Sequence, residues 1–179
     1  MGRKCLGLLG MAMIFAASPV QAGDGLTNYG DIAQFAIPLI AASVSVAKSD
    51  KDGLLQLGAT SVGTMATTYA LKYSVNSQRP KGGGQSFPSG HTASAFMGAS
   101  YLHYRYGWEY GLPAYAAAAV VGYSRVAADQ HHWEDVVGAA VIANVSAFIL
   151  TDRLDDRVQL VPFMDLSKRS FGIVGKIRF

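Results

Sequence analysis

Apolar residues fall into five long blocks with short polar breaks between them. The first, about residues 31–48, reads "DIAQFAIPLIAASVSVAK" and ends at the polar turn "KSDKDG". The others cover about 53–73, 90–106, 113–128 and 132–151. Each is long enough for about four to six helical turns, so the pattern predicts consecutive α-helices. "RYGWEYG" breaks the third block from the fourth, and Pro113 suits the first turn of the fourth helix. The tail changes period. In "SFGIVGKIRF", Phe171, Ile173, Ile177 and Phe179 alternate with Ser170, Lys176 and Arg178, a strand signal that pairs with "VQLVPFMD" as a hairpin. No series of ten-residue alternating segments precedes it, which argues against an outer-membrane barrel. The expected fold class is all-α: a bundle of five core helices over residues 23–156, with an extended tail over 157–179.

The first 22 residues have the form of a secretory signal peptide: Arg3 and Lys4, then "CLGLLGMAMIFAA", then "SPVQA" with small residues at Val20 and Ala22. The single cysteine, Cys5, lies inside this leader, so the mature chain would have no disulfide or thiol chemistry. Export implies a periplasmic location. At 179 residues, half of them hydrophobic and 15% charged, the chain is long enough for one domain with a core and too apolar for disorder. The net charge of +3 is modest and the basic residues are scattered, so no nucleic acid is expected as a partner. Two blocks, "DIAQFAIPLIAASVSVAK" and "DVVGAAVIANVSAFILTD", are at the short end for membrane spans, while the second and fourth are rich in Ala, Thr, Ser and Gly. This favours a soluble or peripheral bundle, with membrane association through an inner-membrane placement, site towards the periplasm, as the alternative.

Helices joined by short connections run up and down. The end of helix two, the start of three, the end of four and the start of five then share one end of the bundle. Lys72 and Arg79, then Ser89, Gly90 and His91, then Arg125, then His131 and Asp135 stand at those places. Each has a plain structural role: a snorkelling lysine, arginines at helix C-termini, a serine N-cap. His103 mid-helix, and Asp129 and Glu134 as solvated surface, need nothing more. His131 beside His132 lacks a third ligand at zinc spacing, so no metal is expected. A single cause accounts for the convergence, namely a phosphate. Lys72 offers a point charge, Arg79 and Arg125 planar forks, and the helix start at Ser89, Gly90 and His91 free N–H groups. Gly82–Gly84 would let backbone approach the anion. His131 and Asp135 are four apart, on one helix face, so the carboxylate can hold one ring nitrogen and aim the other at phosphorus. His91 is then free to donate a proton.

"KYSVNSQRP", "PSGH" and "SRVAADQHHWED", in this order, are similar to the signature of the type 2 phosphatidic acid phosphatase superfamily, over about residues 72–135. That family includes bacterial class A acid phosphatases, lipid phosphatases and vanadium haloperoxidases. The resemblance implies an all-helical core and a phosphoric ester hydrolase without cofactor. His131 would form a phosphohistidine, with Asp135 orienting it. His91 would protonate the leaving group and then activate water, while Lys72, Arg79, Ser89, Gly90 and Arg125 hold the phosphoryl oxygens. Those cations would take the place of a metal ion. The implied substrate is a phosphorylated lipid or a small phosphate ester. The apolar "AFMGASYLHY" beside His91, and Trp133 beside His131, tilt the expectation towards lipid. A vanadate-dependent haloperoxidase and a non-catalytic binder of phospholipid headgroups are the alternatives.

Overall fold

Five helices follow one another in the computed structural model, which describes residues 23–154, 158–165 and 170–177. They are α1 (Asp24–Ala47), α2 (Lys51–Val75), α3 (Gly90–Tyr106), α4 (Trp108–Ala127) and α5 (Trp133–Leu150). Two strands follow, β1 (Val158–Asp165) and β2 (Ser170–Ile177), paired antiparallel with Val158 opposite Ile177 and Asp165 opposite Ser170. The expected leader, with Cys5, lies outside the described residues.

Helix boundaries depart from the sequence expectation where tertiary contacts outweigh local composition. α1 begins at Asp24 rather than near residue 31. "LTNYG" is a poor helix former, but the Tyr29 hydroxyl donates to Ala117 O of α4 and Arg125 donates to Thr27 O, which anchors these early turns. α4 begins at Trp108, so Pro113 sits inside the helix and not in its first turn. The broad break expected at "RYGWEYG" contracts to the single residue Gly107, which caps α3 and α4 together.

α3 is the central helix and packs against all four others. What lies inside is small or polar: Ala95, Ala99, Ala118, Ala139, Ala143 and Ala147 are buried, as are Thr60, Thr64 and Thr68 on the inner stripe of α2. Small side chains let helix axes approach closely. Large apolar residues face outward instead. On α1, Ile32, Phe35, Leu39, Ile40 and Val46 are each 56–68% exposed, and Leu55 and Val62 on α2 and Ile149 on α5 are similarly placed. α1 and α5 are long and apolar enough to cross a membrane, by length and composition. "AFMGASYLHY" contributes core: Ala95, Met97, Ala99, Tyr101 and Leu102 are all buried, so packing accounts for its apolarity.

The end of the bundle away from the expected site is closed by a buried ion pair. Arg105, with no exposed surface, donates through Nε to Asp50 Oδ2 (2.6 Å) and through Nη1 to Asp152 O (2.9 Å). Asp50 also accepts from the Gly53 amide as the N-cap of α2 and from the Tyr106 hydroxyl. The α1–α2 turn, the end of α3 and the end of α5 are thereby joined.

Candidate active site

His131 lies in the short turn between α4 and α5 and not on α5 itself. The expectation of a shared helix face with Asp135 is therefore corrected. His132 is the N-cap, and Asp135 at the third helical position accepts from the His132 amide through Oδ2 (2.9 Å) in a capping box. That capping contact fixes the carboxylate, and the same Oδ2 is 3.4 Å from His131 Nδ1. Ser86, which the motif reading missed, completes the arrangement. Its hydroxyl donates to Asp135 Oδ2 and lies 3.3 Å from His131 Nδ1. All three side chains are buried. With Nδ1 turned to Ser86 and Asp135, Nε2 is the ring nitrogen on the opposite side. Burial lowers the His131 pKa to about 4, aided by Arg79 and Lys72 and opposed by Asp135. The imidazole is thus neutral, with a lone pair available, across the physiological range.

Lys72, at the end of the buried stripe of α2, donates to Gln85 O (2.9 Å) and Pro88 O (2.8 Å). Two of its three donors hold the α2–α3 loop, which leaves one for a ligand. Gly82 and Gly83, both at φ +93°, make the turn that only glycine adopts easily; Gly82 N donates to Arg79 O and Arg79 N to Gly83 O. The glycines are exposed. They turn the backbone at Arg79, so the contacts they make fix the position of that arginine. Arg79 donates from Nη1 to Gln130 Oε1 (3.2 Å), while its buried Nε has no partner among the described residues. An unpartnered buried guanidinium nitrogen is the donor an anion would satisfy.

At the start of α3, Ser89 is the N-cap. Its hydroxyl accepts from the Thr92 amide and hydroxyl, and its own N–H is taken by Asp135 O (3.1 Å). The amides of Gly90 and His91 follow in the first turn, where helix geometry supplies no acceptor. The Ser89–Asp135 bond locks this helix start against the start of α5. His91 is half-buried, and its Nε2 is 3.1 Å from Asp31 Oδ1. Burial lowers its pKa, as does Arg125, with Asp31 opposing. Arg125 donates to the same Asp31 oxygen (2.7 Å), to Thr27 O (2.7 Å) and to Ser124 Oγ (3.1 Å). Arg79 bears electrostatically on both His91 and His131. All eight residues expected from the sequence are therefore at one end of the bundle. His103 pairs with Tyr115 and stacks on Trp108 far from it, and Asp129 and Glu134 are exposed. Among the described residues, no group of three or more His, Cys, Asp or Glu side chains is arranged to hold a metal.

The model of the PAP2 superfamily matches residues 81–158, which carry most of this geometry. The chain is 33% identical over 140 residues to a lipid A 4'-phosphatase of Helicobacter pylori, covering 72% of this chain and 70% of that protein. The chain belongs to the PAP2 superfamily. A second PAP2 relative, a lipid A 1-phosphatase of Porphyromonas gingivalis, is 42% identical over 91 residues, 48% of this chain and 20% of that protein. The crystal structure of Aquifex aeolicus LpxE superposes with a TM-score of 0.60 at 23% identity, over 70% of this chain and 82% of that one, and shares the fold. The sequence motifs supplied eight candidate positions that the fold brings to this end of the bundle. Ser86 and Asp31 had no such signal, since neither serine nor aspartate stands out until folding sets it against a histidine.

Proposed function

We propose that this PAP2 protein hydrolyses a phosphate monoester of a membrane lipid, of the lipid A class that its named relatives act on. The observation that carries the reading is the buried His131 whose Nδ1 side is held by Asp135 and Ser86, under the electrostatic influence of an Arg79 whose Nε has no partner among the described residues. His131 Nε2 attacks phosphorus, the P–O bond to the leaving group breaks, and its electron pair goes to the leaving oxygen, which takes a proton from His91. Water then gives a proton to His91 and attacks the phosphohistidine; the P–N bond breaks and its electron pair returns to His131. Arg79, Arg125, Lys72 and the amides of Gly90 and His91 hold the equatorial oxygens, as charge stabilisation in phosphoryl transfer requires. These cations supply the neutralisation, so the reaction runs without added metal.

The outward-facing Ile32, Phe35, Leu39 and Ile40 of α1, with Ile149 of α5, support membrane association. Tyr73, Tyr123 and Trp133 towards the site end, and Trp108 and Tyr110 at the other, suit the two interfaces. The site then opens at the boundary where a lipid phosphate is presented. The leader expected at residues 1–22 points the site to the periplasm. Purified protein in detergent with chelator should release inorganic phosphate from lipid A, and His131→Ala should release none. Inertness of the wild-type protein towards lipid A and other lipid phosphates would overturn the reading. Membranes washed with alkaline carbonate should retain the protein.

A further inference from the structure

One carboxylate at this site belongs to no part of the motif. Asp31 projects from α1, and a single oxygen of it meets His91 Nε2 (3.1 Å) and Arg125 Nη1 (2.7 Å). The approach is built into the chain. Gly30 lies so close to α4 that a Cβ there would come within 2.2 Å of Ser124 Oγ and 2.5 Å of Arg125 Nη2. A larger residue would have to displace either α1 or the Ser124 and Arg125 side chains, and either shift disturbs the Asp31–Arg125 contact. Asp31 is half-exposed and faces the buried Arg125 guanidinium and the half-buried His91 imidazole.

We infer that Asp31 is a positioning residue that keeps a proton on His91 when the phosphoryl group is bound, so that His91 acts as the general acid. The inference rests on the phosphatase reading and assigns it a second histidine–carboxylate pair opposite His131–Asp135. Charge balance carries it. Lys72, Arg79 and Arg125 supply three positive charges. A phosphoryl dianion with Asp135 and Asp31 brings four negative ones, and a proton on His91 restores neutrality. Without Asp31 the three fixed cations balance the dianion and Asp135 by themselves, and nothing favours the imidazolium. The charged groups that face His91 are Asp31 from α1, Arg79 from the α2–α3 loop and Arg125 from α4. Asp31 is the member of that set that favours protonation. In the reaction His91 passes its proton to the leaving oxygen and stays hydrogen-bonded to Asp31 as the neutral imidazole. The attacking water returns a proton to it in the second step.

A leaving-group comparison tests this, because a poor leaving group needs the acid and a good one does not. Asp31→Asn should lower kcat about 10²-fold for a lipid or alkyl phosphate, the scale of a general acid, and at least tenfold less for para-nitrophenyl phosphate. Asp31→Glu should recover part of the alkyl-phosphate rate, and the basic limb of kcat/KM in Asp31→Asn should move to lower pH. Equal losses for both substrates overturn the inference. So does a fall in KM with kcat intact, which would make Asp31 only a competitor for the anion seat. Should the wild-type protein hydrolyse neither substrate, the phosphatase reading fails by itself. The inference is then decided by ¹⁵N-histidine NMR with inorganic phosphate present. His91 should lose its proton at lower pH in Asp31→Asn than in wild type, and an unchanged titration overturns the inference.

Discussion

Nδ1 of His131 lies 3.4 Å from Oδ2 of Asp135, and that oxygen is held in place by the His132 amide and the Ser86 hydroxyl. The carboxylate is thus a helix cap and the orienting partner of an imidazole at once. Asp135→Asn should keep much of the cap but remove the charge that stabilises the ring as it becomes cationic. A fall in kcat of about 10⁴-fold is expected, the scale for the corresponding carboxylate of a Ser-His-Asp site. Steady-state kinetics with folding checked by circular dichroism measures it; a loss under tenfold would remove Asp135 from the mechanism.

Ser86→Ala removes a donor from the buried Asp135 side chain. Such hydrogen bonds are worth about 1.5–3 kcal/mol, so kcat should fall roughly 10- to 150-fold if that contact is realised in the transition state. Ser86→Thr, which keeps the hydroxyl, should retain more activity than Ser86→Ala. Equal rates in the two variants would show that the hydroxyl is not used.

The two histidines set opposite limbs of the pH profile. His131 attacks only when neutral, and burial holds its pKa at about 4, so kcat/KM should fall as pH drops through about 4. His91 donates only when protonated, and burial, with Arg125, lowers its pKa in the free enzyme. The basic limb should then begin below about 6.5, the ordinary histidine value. Expected is a bell with an acidic maximum, measured as kcat/KM against pH at constant ionic strength. A maximum above neutrality would contradict these roles.

Arg79 keeps a buried Nε with no partner among the described residues, a donor that lysine cannot reproduce. Arg79→Lys should keep the charge and lose the planar fork, which lowers kcat/KM by about 10- to 100-fold on the scale of a charge-assisted hydrogen bond. Inhibition by inorganic phosphate should weaken in parallel.

Arg105 and Asp50 form a buried pair at the opposite end, remote from the chemistry. Arg105→Ala strands Asp50 without its cation and should destabilise the fold by about 3–5 kcal/mol. Thermal unfolding in detergent measures this; an unchanged midpoint would show that water or Tyr106 suffices for Asp50.

Five helices, the terminal hairpin and the convergence of eight candidate site residues were legible along the chain. Helix blocks are set by local periodicity, and an up-and-down order follows from short connections, so the convergence of Lys72, Arg79, Ser89, Gly90, His91, Arg125, His131 and Asp135 needed no coordinates. Three things were decided only by packing. Apolar periodicity marks a face without saying whether that face meets protein or its surroundings, and only packing showed that alanine and threonine fill the interior while Ile32 and Phe35 face outward. The start of α1 depended on the contacts of Tyr29 and Thr27 with α4, which local composition does not encode. Ser86 and Asp31 acquired their partners from segments 49 and 60 residues away. A side chain's protonation and hydrogen bonding depend on what folding brings within about 3 Å of it, and sequence spacing carries that information only inside a single helix or turn.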